Sequence, residues 1–315
     1  MNSRLLRVQL GDVTQNRDGE RIALSPRQCG LRPGEYPYYG QEGLIARIDS
    51  YVYEGDHVLT AAPPRGGPWA FAVQGRFSAG TRVHVLSCGP EAEAPFLCRI
   101  LNALTPPRTA GLKELEALEL SLPLPEVQRL ILKALVNIEE KIALLQDQNR
   151  VLSGMIRALF DLFFISGGEI PRPLGDFAGY RPADPGSASA TGPASTPEAG
   201  AAAESPAEIS FGGLSLYPRG DLHPLFIAAL IQHPEFLAYA ENRAGGGGGK
   251  HRLDGERLMA FELNCPREGG GRRDRRENGV HGEFNRFART AEKKLAHNKE
   301  ELRILRNLQR SLVLL

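Results

Sequence analysis

The sequence is poor in cysteine, and the spacing of its cysteines argues against a metal or disulfide framework. Four cysteines occur in 315 residues, and no two of them form a C-x-x-C pair. Zinc sites and disulfide-rich folds both need closely and regularly spaced cysteines. Ordinary burial in a reducing compartment suits these residues better: Cys29, Cys88, Cys98 and Cys265.

Long apolar runs are also missing. The N-terminal stretch MNSRLLRVQLGD has no apolar core of signal-peptide length. No run approaches the roughly 18 consecutive apolar residues of a membrane-spanning helix. The sequence therefore predicts a soluble, cytoplasmic protein.

Neither sign of charge dominates the chain. The 38 Lys and Arg residues nearly balance the 37 Asp and Glu residues, which gives a formal net charge of +1. A domain that binds nucleic acid over a broad surface is usually strongly basic. Any nucleic-acid-binding surface must therefore be local, in loops or on one face.

Motifs for catalysis and nucleotide binding are missing as well. Residues 62–65, Ala-Pro-Pro-Arg, lack both ends of the [DN]-P-P-[YF] motif of amino-methyltransferases. The glycine run 245–249 is followed by Lys250 and His251, so it lacks the G-x-x-x-x-G-K-[ST] frame of a phosphate loop. The seven histidines are dispersed without metal-ligand spacing. The sequence predicts a non-catalytic protein with no cofactor and no metal site of its own.

The pattern that is present is a long helical seam that occurs twice. Apolar residues recur at steps of four and three over residues 131–163 and again over 284–312. Steps that average about 3.5 residues keep one stripe of a helix facing a partner helix. The residues that define the predicted spacer seam are Ile138, Ile142, Leu145, Asn149, Leu152, Leu295, Asn298, Leu302 and Leu305.

The two helical segments are similar in sequence, which indicates an internal repeat. Aligning IEEKIALLQDQNRVLSGMIRALF with AEKKLAHNKEELRILRNLQRSLV superposes Glu139 on Glu292 and Leu152 on Leu305. A repeat of this kind implies a chain built from two similar halves. Each half would end in a long helix.

The two predicted helices bury their seams most simply by lying side by side and antiparallel. In one register Asn149 lies opposite Asn298, and buried asparagines commonly fix register at some cost in stability. At about 1.5 Å per residue, helices of roughly 33–38 residues are about 50–57 Å long. We expect such a pair to act as a rigid spacer, about one and a half turns of B-DNA in length.

The composition divides the chain into six segments. Strand-prone runs alternate with Gly and Pro turns before the first long helix, and Ala, Pro, Ser, Gly and Thr dominate much of the segment after it. The predicted class is α+β, with two mixed α/β lobes separated by a long antiparallel two-helix coiled coil. The segments are a first lobe at 1–125, a first spacer helix at 126–165, a disordered low-complexity linker at 166–208, a second, partial lobe at 209–267, a charged loop at 268–282 and a second spacer helix at 283–315.

Three stretches resemble the DNA-specificity subunit of type I restriction–modification systems. SLPLPEVQRLILKALVNIEEKIALLQDQNRVLSGMIRALFDLFF (121–164) resembles the family's spacer, with a proline-bounded strand end, a glutamine one turn into the helix and a terminal aromatic pair. YPYYGQEGLIARIDSYVYEGDHVLTAA (36–62) resembles the opening of a target-recognition domain. PEFLAYAENRAGGGGGKHRLDGERLMAFELNCP (234–266) resembles the closing part of a second such domain, with its first-lobe counterpart at 94–125. The resemblance covers nearly the whole chain except the linker and 272–282.

The resemblance implies a sequence-specific DNA-binding subunit without catalytic activity, in a system for DNA methylation and phage defence. Each target-recognition domain of the family contacts one half of a bipartite double-stranded DNA target. The paired helices set the spacing and dock methyltransferase (modification) subunits, and a restriction/translocase subunit joins them for cleavage. S-adenosylmethionine and ATP are therefore expected only on partner subunits. Self-association is a further expected contact.

The second lobe departs from the family pattern. It has no clear counterpart of YPYYGQEGLIARIDSYVYEGD, and low-complexity sequence stands where that half would be. We therefore expect a shortened second target-recognition domain. Three outcomes remain open: recognition of one half-site, dimerisation that supplies a second lobe, or a degenerate copy. The alternative function is a coiled-coil assembly or scaffold protein without sequence-specific DNA binding.

The candidate DNA-contacting residues are aromatic, amide and basic side chains in predicted loops. Tyrosine and glutamine reach phosphates or base edges, and arginine and lysine neutralise phosphates. The alternative for the tyrosines is an aromatic-lined turn packed against its own sheet, and for the arginines an ordinary solvated surface. The candidates are Tyr38, Tyr39, Gln41, Arg47, Arg65, Lys250, His251 and Arg252.

Overall fold

The computed structural model describes residues 5–61, 68–104, 111–168, 170–183, 208–243, 253–265 and 280–313. The chain forms two compact units. Unit 1 comprises Met1–Glu140 together with Leu305–Leu315, and unit 2 comprises Lys141–Ile304. Because the division falls inside both long helices, each long helix contributes residues to both units.

Unit 1 is built mainly from short strands. Its elements in chain order are β1 (Leu6–Gln9), α1 (Leu10–Val13), β2 (Thr14–Asn16), α2 (Pro26–Gly30), β3 (Pro33–Gly40), β4 (Gly43–Ile48), β5 (Tyr53–Glu54), β6 (His57–Thr60), β7 (Ala70–Val73), β8 (Arg76–Ala79), β9 (His84–Cys88), α3 (Ala94–Ala103), α4 (Leu112–Glu116), β10 (Glu119–Leu122) and the first part of α5 (Pro125–Phe160). A single 3-10 turn, Asp18–Glu20, follows β2.

Two four-stranded sheets and one strand pair organise the described part of unit 1. The first sheet has the antiparallel order β2-β9-β6-β7. The second has the order β4-β3-β8-β5, in which β3 and β8 are parallel. Strand β1 pairs antiparallel with β10, with Leu6 opposite Leu122. This pair connects the first strand of the unit to the strand that leads directly into α5.

Helix α3 packs against β7 and β6 of the first sheet. Pro95 lies in its first turn, where a proline interrupts no intrahelical hydrogen bond. Phe96, Leu97 and Leu101 are at most 2% exposed, because their spacing places them on one face of the helix. Amphipathic spacing thus fixes which face of α3 lies on the sheet.

Unit 2 begins within α5 and alternates short strands and helices. Its further elements are a π-helical turn (Asp161–Ile165), β11 (Ile170–Pro173), β12 (Ala178–Pro182), β13 (Ile209–Phe211), β14 (Leu214–Pro218), α6 (Leu225–Leu230), α7 (Pro234–Arg243), α8 (Gly255–Met259), β15 (Glu262–Cys265) and α9 (Val280–Val313). The described strands form an antiparallel sheet of order β12-β14-β13 and the antiparallel pair β11–β15. The β11–β15 pair repeats the arrangement of β1 and β10, since a strand that opens the unit pairs with one that closes it.

The core of unit 2 is a cluster of phenylalanines. Phe160, Phe164, Phe226 and Phe284 are each fully buried. The Phe164 ring centroid lies 4.9 Å from that of Phe226 and 5.6 Å from that of Phe284, both edge-to-face. Large aromatic rings bury much apolar area, so this cluster fixes the end of α5 and the start of α9 on α6.

Helices α5 and α9 pack together and run antiparallel. In unit 2 Phe164 meets Phe284, whereas twenty-odd residues earlier in α5 the Lys141 amino group lies 3.2 Å from the Glu301 carboxylate. Every residue of the predicted seam is at least half-buried. The buried members are Ile138, Leu145, Leu295, Asn298 and Leu302, and the half-buried ones are Ile142, Asn149, Leu152 and Leu305.

The predicted fold class is confirmed: the chain has two sheet-rich regions and two long helices packed together. Two predicted segments need correction. Strands β11 and β12 lie inside the predicted linker 166–208, because they pair with β15 and β14 from much later in the chain. Helix α9 begins at Val280, inside the predicted charged loop 268–282. Residues 169 and 184–207 of the first segment and residues 268–279 of the second lie outside the described residues.

Among the described helices, none has both the length and the apolar character needed to cross a membrane.

Candidate functional site

The seam between α5 and α9 contains a buried asparagine pair. Asn298 is fully buried, and its Nδ2 donates to Asn149 Oδ1 at 2.7 Å and to Gln148 Oε1 at 3.2 Å. The pairing of Asn149 with Asn298 that the seam predicts is therefore present. Asn298 Oδ1 is buried and has no hydrogen-bond partner among the described residues. The pair specifies one register, because a slipped register would leave both amides facing apolar side chains.

A buried amide on α5 holds the loop before α3 in unit 1. Gln128 is fully buried, and its Oε1 accepts from the Glu93 backbone N–H at 2.9 Å. Its Nε2 donates to the carbonyls of Glu91 and Pro123, each at 2.8 Å. These bonds satisfy backbone groups that the short loop cannot pair by itself.

A different amide does the same in unit 2. Asn285 of α9 accepts from the His223 backbone N–H through Oδ1 at 2.8 Å and donates through Nδ2 to the Asp221 carbonyl at 2.7 Å. In both units, therefore, a side-chain amide of a long helix binds the carbonyl of one residue and the N–H of the residue two positions later. In each case the bound segment lies just before a helix, α3 in unit 1 and α6 in unit 2.

Helix α5 and the π-helical turn that follows it also carry a second apolar stripe that faces solvent. Leu144, Val151, Met155 and Leu162 are 58%, 61%, 46% and 53% exposed. Their steps of seven, four and seven residues place them on one face, beside the buried seam. We call these four residues the outer stripe. The sequence contained this signal, but the stronger seam in the same helix masked it.

The tyrosine hairpin of β3 and β4 splits between core and surface. Tyr38 is 2% exposed, and its hydroxyl donates to the Ile22 carbonyl at 2.9 Å and accepts from the Leu24 N–H at 3.0 Å. This position matches the packing alternative rather than a DNA contact. Tyr39 follows Tyr38 in β3 and therefore points to the other face of the strand. It is half-buried, and its ring centroid lies 5.9 Å from that of Phe77.

Two further candidates of the hairpin reach the surface. Gln41 is half-buried at the turn between β3 and β4. Gly43, two residues later, has a positive φ of 99°, which allows the tight reversal of the chain. Arg47 is exposed, and its Nη1 donates to the Glu35 carbonyl at 2.8 Å. The remaining candidates lie outside the described residues: Arg65, Lys250, His251 and Arg252.

The same sheet presents an exposed cluster around Arg76. Arg76 Nε donates to Glu54 Oε1 at 3.0 Å, and the guanidinium carbon lies 4.8 Å from the centroid of the Tyr51 ring. The Tyr51 and Tyr36 rings lie 4.9 Å apart. The hydrogen bond and charge of Glu54 raise the pKa of Arg76. We call these four residues the arginine–tyrosine cluster.

An analogous exposed pair lies nearby in sequence. Arg32 Nη2 is 2.8 Å from Asp49 Oδ1, and Nη2 also donates to Ser50 Oγ at 3.0 Å. The hydrogen bond from Arg32 lowers the pKa of Asp49. Unit 1 thus presents arginines that are oriented by neighbouring carboxylates.

Burial makes two cysteine thiols of unit 1 poor nucleophiles. Burial raises the pKa of Cys88 to about 12 and also raises the pKa of Cys98, so both stay protonated near neutral pH. No group of three or more His, Cys, Asp and Glu side chains is arranged to hold a metal ion within the described ranges.

The sequence matches no protein-family model, and no curated protein matches it significantly. Solved structures do resemble it. The S subunit of a type I restriction–modification system from M. genitalium superposes with a TM-score of 0.55 at 13% identity, over 99% of this chain and 96% of that chain. The HsdS subunit from Thermoanaerobacter tengcongensis gives 0.42 at 14% identity, over 99% and 96%. A chain from a structure of type I system assembly gives 0.48 at 14% identity, over 98% and 96%. The similarity to the M. genitalium subunit shows that the chain has the fold of a type I restriction–modification S subunit.

Proposed function

We propose that this chain is the DNA-specificity subunit of a type I restriction–modification complex. The observation that carries the proposal is the fold similarity to the M. genitalium S subunit, which spans nearly the full length of both chains. Two further features support it. The long helices joined by the asparagine pair suit a spacer, and the strand pair and amide bridge that recur in both units suit two related DNA-binding lobes. Catalysis, S-adenosylmethionine and ATP then belong to partner subunits.

In this proposal unit 1 contacts one half of a bipartite DNA target. Three described features of unit 1 have suitable chemistry: exposed Arg47, half-buried Gln41 and the arginine–tyrosine cluster. Arginine neutralises phosphates, and arginine and glutamine pair with base edges. Tyr38 takes no part, because its hydroxyl is bonded inside unit 1.

We infer a smaller contribution to DNA recognition from unit 2. Its described strands form one sheet of three strands and one pair, whereas unit 1 has two four-stranded sheets and one pair. A shortened second target-recognition domain would read few base pairs, or would depend on a second copy of the chain.

The outer stripe is the proposed docking surface for the modification subunits. Solvent-facing apolar rows at helical spacing suit burial by an amphipathic helix of a partner. Two exposed arginines of the long helices instead form ion pairs within their own helix: Arg150 with Asp147, and Arg303 with Glu300. A restriction/translocase subunit would join the complex through the modification subunits.

Mapping of methylated adenines in the host tests the proposal. Deleting this chain should abolish one bipartite methylated motif, and returning the gene should restore it. A control strain should carry a catalytically inactive modification subunit, which must lose the same motif. If all methylated motifs persist after deletion, the chain does not specify a methylation target.

The outer stripe also supports a second candidate function, a helical assembly protein without DNA specificity. Its apolar face needs a protein partner but no DNA. The two functions differ in a binding measurement with the purified chain. A specificity subunit should retain duplex DNA with an affinity that falls steeply with salt, whereas an assembly protein should retain none.

A further inference from the structure

The arginine–tyrosine cluster is a built arrangement rather than a chance surface contact. The parallel pairing of β3 with β8 matches Tyr38 with Ser78, so Tyr36 and Arg76 occupy neighbouring positions two residues earlier. The antiparallel pairing of β5 with β8 sets Glu54 directly opposite Arg76. Sheet register therefore brings these side chains together on one face.

The guanidinium of Arg76 is oriented but remains accessible. Its side chain is 50% exposed and that of Glu54 is 59% exposed. Glu54 engages Nε, and the Tyr51 ring flanks the guanidinium carbon at 4.8 Å. A fixed arginine loses less side-chain entropy when it binds a planar acceptor.

The neighbouring carboxylate decides which part of DNA this arginine suits. Glu54 repels phosphate, so the cluster is a poor contact for the DNA backbone. Guanine O6 and N7 are neutral acceptors that a guanidinium fork matches with two hydrogen bonds. A carboxylate accepts from cytosine N4, the partner group in the same base pair. A donor fork beside an acceptor carboxylate thus complements a G·C pair as seen in the major groove.

We propose that Arg76 and Glu54 form a base-reading subsite of unit 1 for one G·C pair, with Arg76 on guanine and Glu54 on cytosine. Tyr36 and Tyr51 are positioning residues that hold the guanidinium. The subsite rests on the proposed DNA-specificity function and adds to it the chemical identity of one recognised base pair.

Selection from a random duplex pool tests the subsite. The full-length chain would be incubated with duplexes that carry a randomised core, and the retained DNA would be sequenced. The variants are Arg76→Lys, Arg76→Gln and Glu54→Gln, and Arg82→Lys is the matched control because Arg82 is an exposed arginine shortly after β8. Thermal melting of each variant checks that unit 1 still folds.

The wild-type chain should enrich a motif that contains a required guanine. Arg76→Lys keeps the charge but loses the fork, so preference at that guanine should fall roughly 5- to 150-fold while the other positions persist. Glu54→Gln should weaken preference at the same base pair, and Arg82→Lys should leave the motif intact.

Two results would overturn the subsite while leaving DNA specificity standing. One is a motif that Arg76→Lys and Arg76→Gln do not alter. The other is a uniform loss of affinity at all sequences in Arg76→Gln with full retention in Arg76→Lys, which indicates a phosphate contact. If the wild-type chain enriches no motif at all, the proposed function fails, and the subsite fails with it.

Discussion

His57 is a buried histidine in the interior of unit 1. It is 4% exposed, and its ring lies 5.2 Å from that of Phe77 and 5.7 Å from that of Tyr53. Its Nδ1 is buried without a partner among the described residues. Burial lowers the pKa of His57, because the charged imidazolium loses solvation there.

We expect this histidine to make unit 1 sensitive to mild acid. Well above about pH 6.5, the ordinary histidine pKa, His57 is neutral in both the folded and the unfolded chain, so it does not make the free energy of unfolding depend on pH. Below that value the unfolded chain binds the proton first, so the free energy of unfolding falls as pH falls. Urea unfolding at about pH 7.5 and about pH 5.5 should show a smaller pH-dependent loss in His57→Leu than in the wild type.

His297→Leu is the matched control, because the His297 side chain is 68% exposed. That variant should keep the wild-type pH dependence. An equal loss in wild type and His57→Leu would assign the acid sensitivity to other groups.

Individual residues differed in how far the sequence could predict them. The pairing of Asn149 with Asn298 follows from two polar residues at equivalent seam positions, so periodicity alone predicts it. The roles of Gln128 and Asn285 do not follow, because they occupy different positions in the helix repeat while bonding equivalent backbone groups. The environment of Tyr38 could not be predicted, because a tyrosine hydroxyl suits both DNA and a buried carbonyl, and only the sheet decides between them.

At the scale of elements, the seam defined both long helices well. The predicted ranges 126–165 and 283–315 compare with Pro125–Phe160 plus Asp161–Ile165, and with Val280–Val313. Long, strongly periodic segments are predictable because every turn repeats the same signal. Strands β11 and β12 were missed because strands of four and five residues with prolines carry little local signal, and their partners lie far along the chain.

A double-mutant cycle tests the asparagine pair. Asn298→Leu alone should lower the free energy of unfolding by about 1–3 kcal/mol, because Asn149 then loses its partner. Replacing Asn149 and Asn298 together should recover that loss but weaken register control, so additional oligomeric states should appear. Thermal melting and sedimentation analysis measure the two effects. A double variant with the same oligomeric state as the wild type, or an Asn298→Leu variant with unchanged melting, would contradict the pair's proposed role.

A charge placed in the outer stripe tests partner docking. Val151→Lys should abolish co-purification with the modification subunit, because a lysine at a buried interface must lose its hydration. Its own melting temperature should hardly change, since Val151 is 61% exposed in the chain alone. Gln146→Lys is the control, an exposed position on the same helix that lies outside the stripe. Equal co-purification of both variants would exclude the stripe as the docking surface.

At the scale of the whole molecule, the repeat was the feature that the sequence predicted best. Two long helices with the same seam already implied two related halves, and the strand pairs β1–β10 and β11–β15 supply the matching detail. The base-reading chemistry could not be predicted, because Tyr36, Tyr51, Glu54 and Arg76 come from three strands and a loop that only sheet register brings together.

The salt dependence of DNA binding tests whether a local basic surface binds the phosphates, since the whole chain has a net charge of only +1. The logarithm of affinity should fall linearly with the logarithm of salt concentration. Arg47→Gln should reduce that slope by about one and weaken binding about equally across sequences, if Arg47 contacts a phosphate. Arg129→Gln, at an arginine engaged with Glu93, should leave the slope unchanged. A slope unaffected by Arg47→Gln would exclude Arg47 from the interface.

The division of α9 between the two units has a consequence for synthesis on the ribosome. Unit 1 needs residues from Leu305 onward, which are translated roughly 165 residues after Glu140. At about 5–20 residues per second, this delay lasts roughly ten to thirty seconds. During that interval the apolar seam of α5 has emerged without its partner helix. The nascent chain is therefore open to chaperone binding, or to pairing with the α5 of a neighbouring nascent chain, until its own α9 has been made.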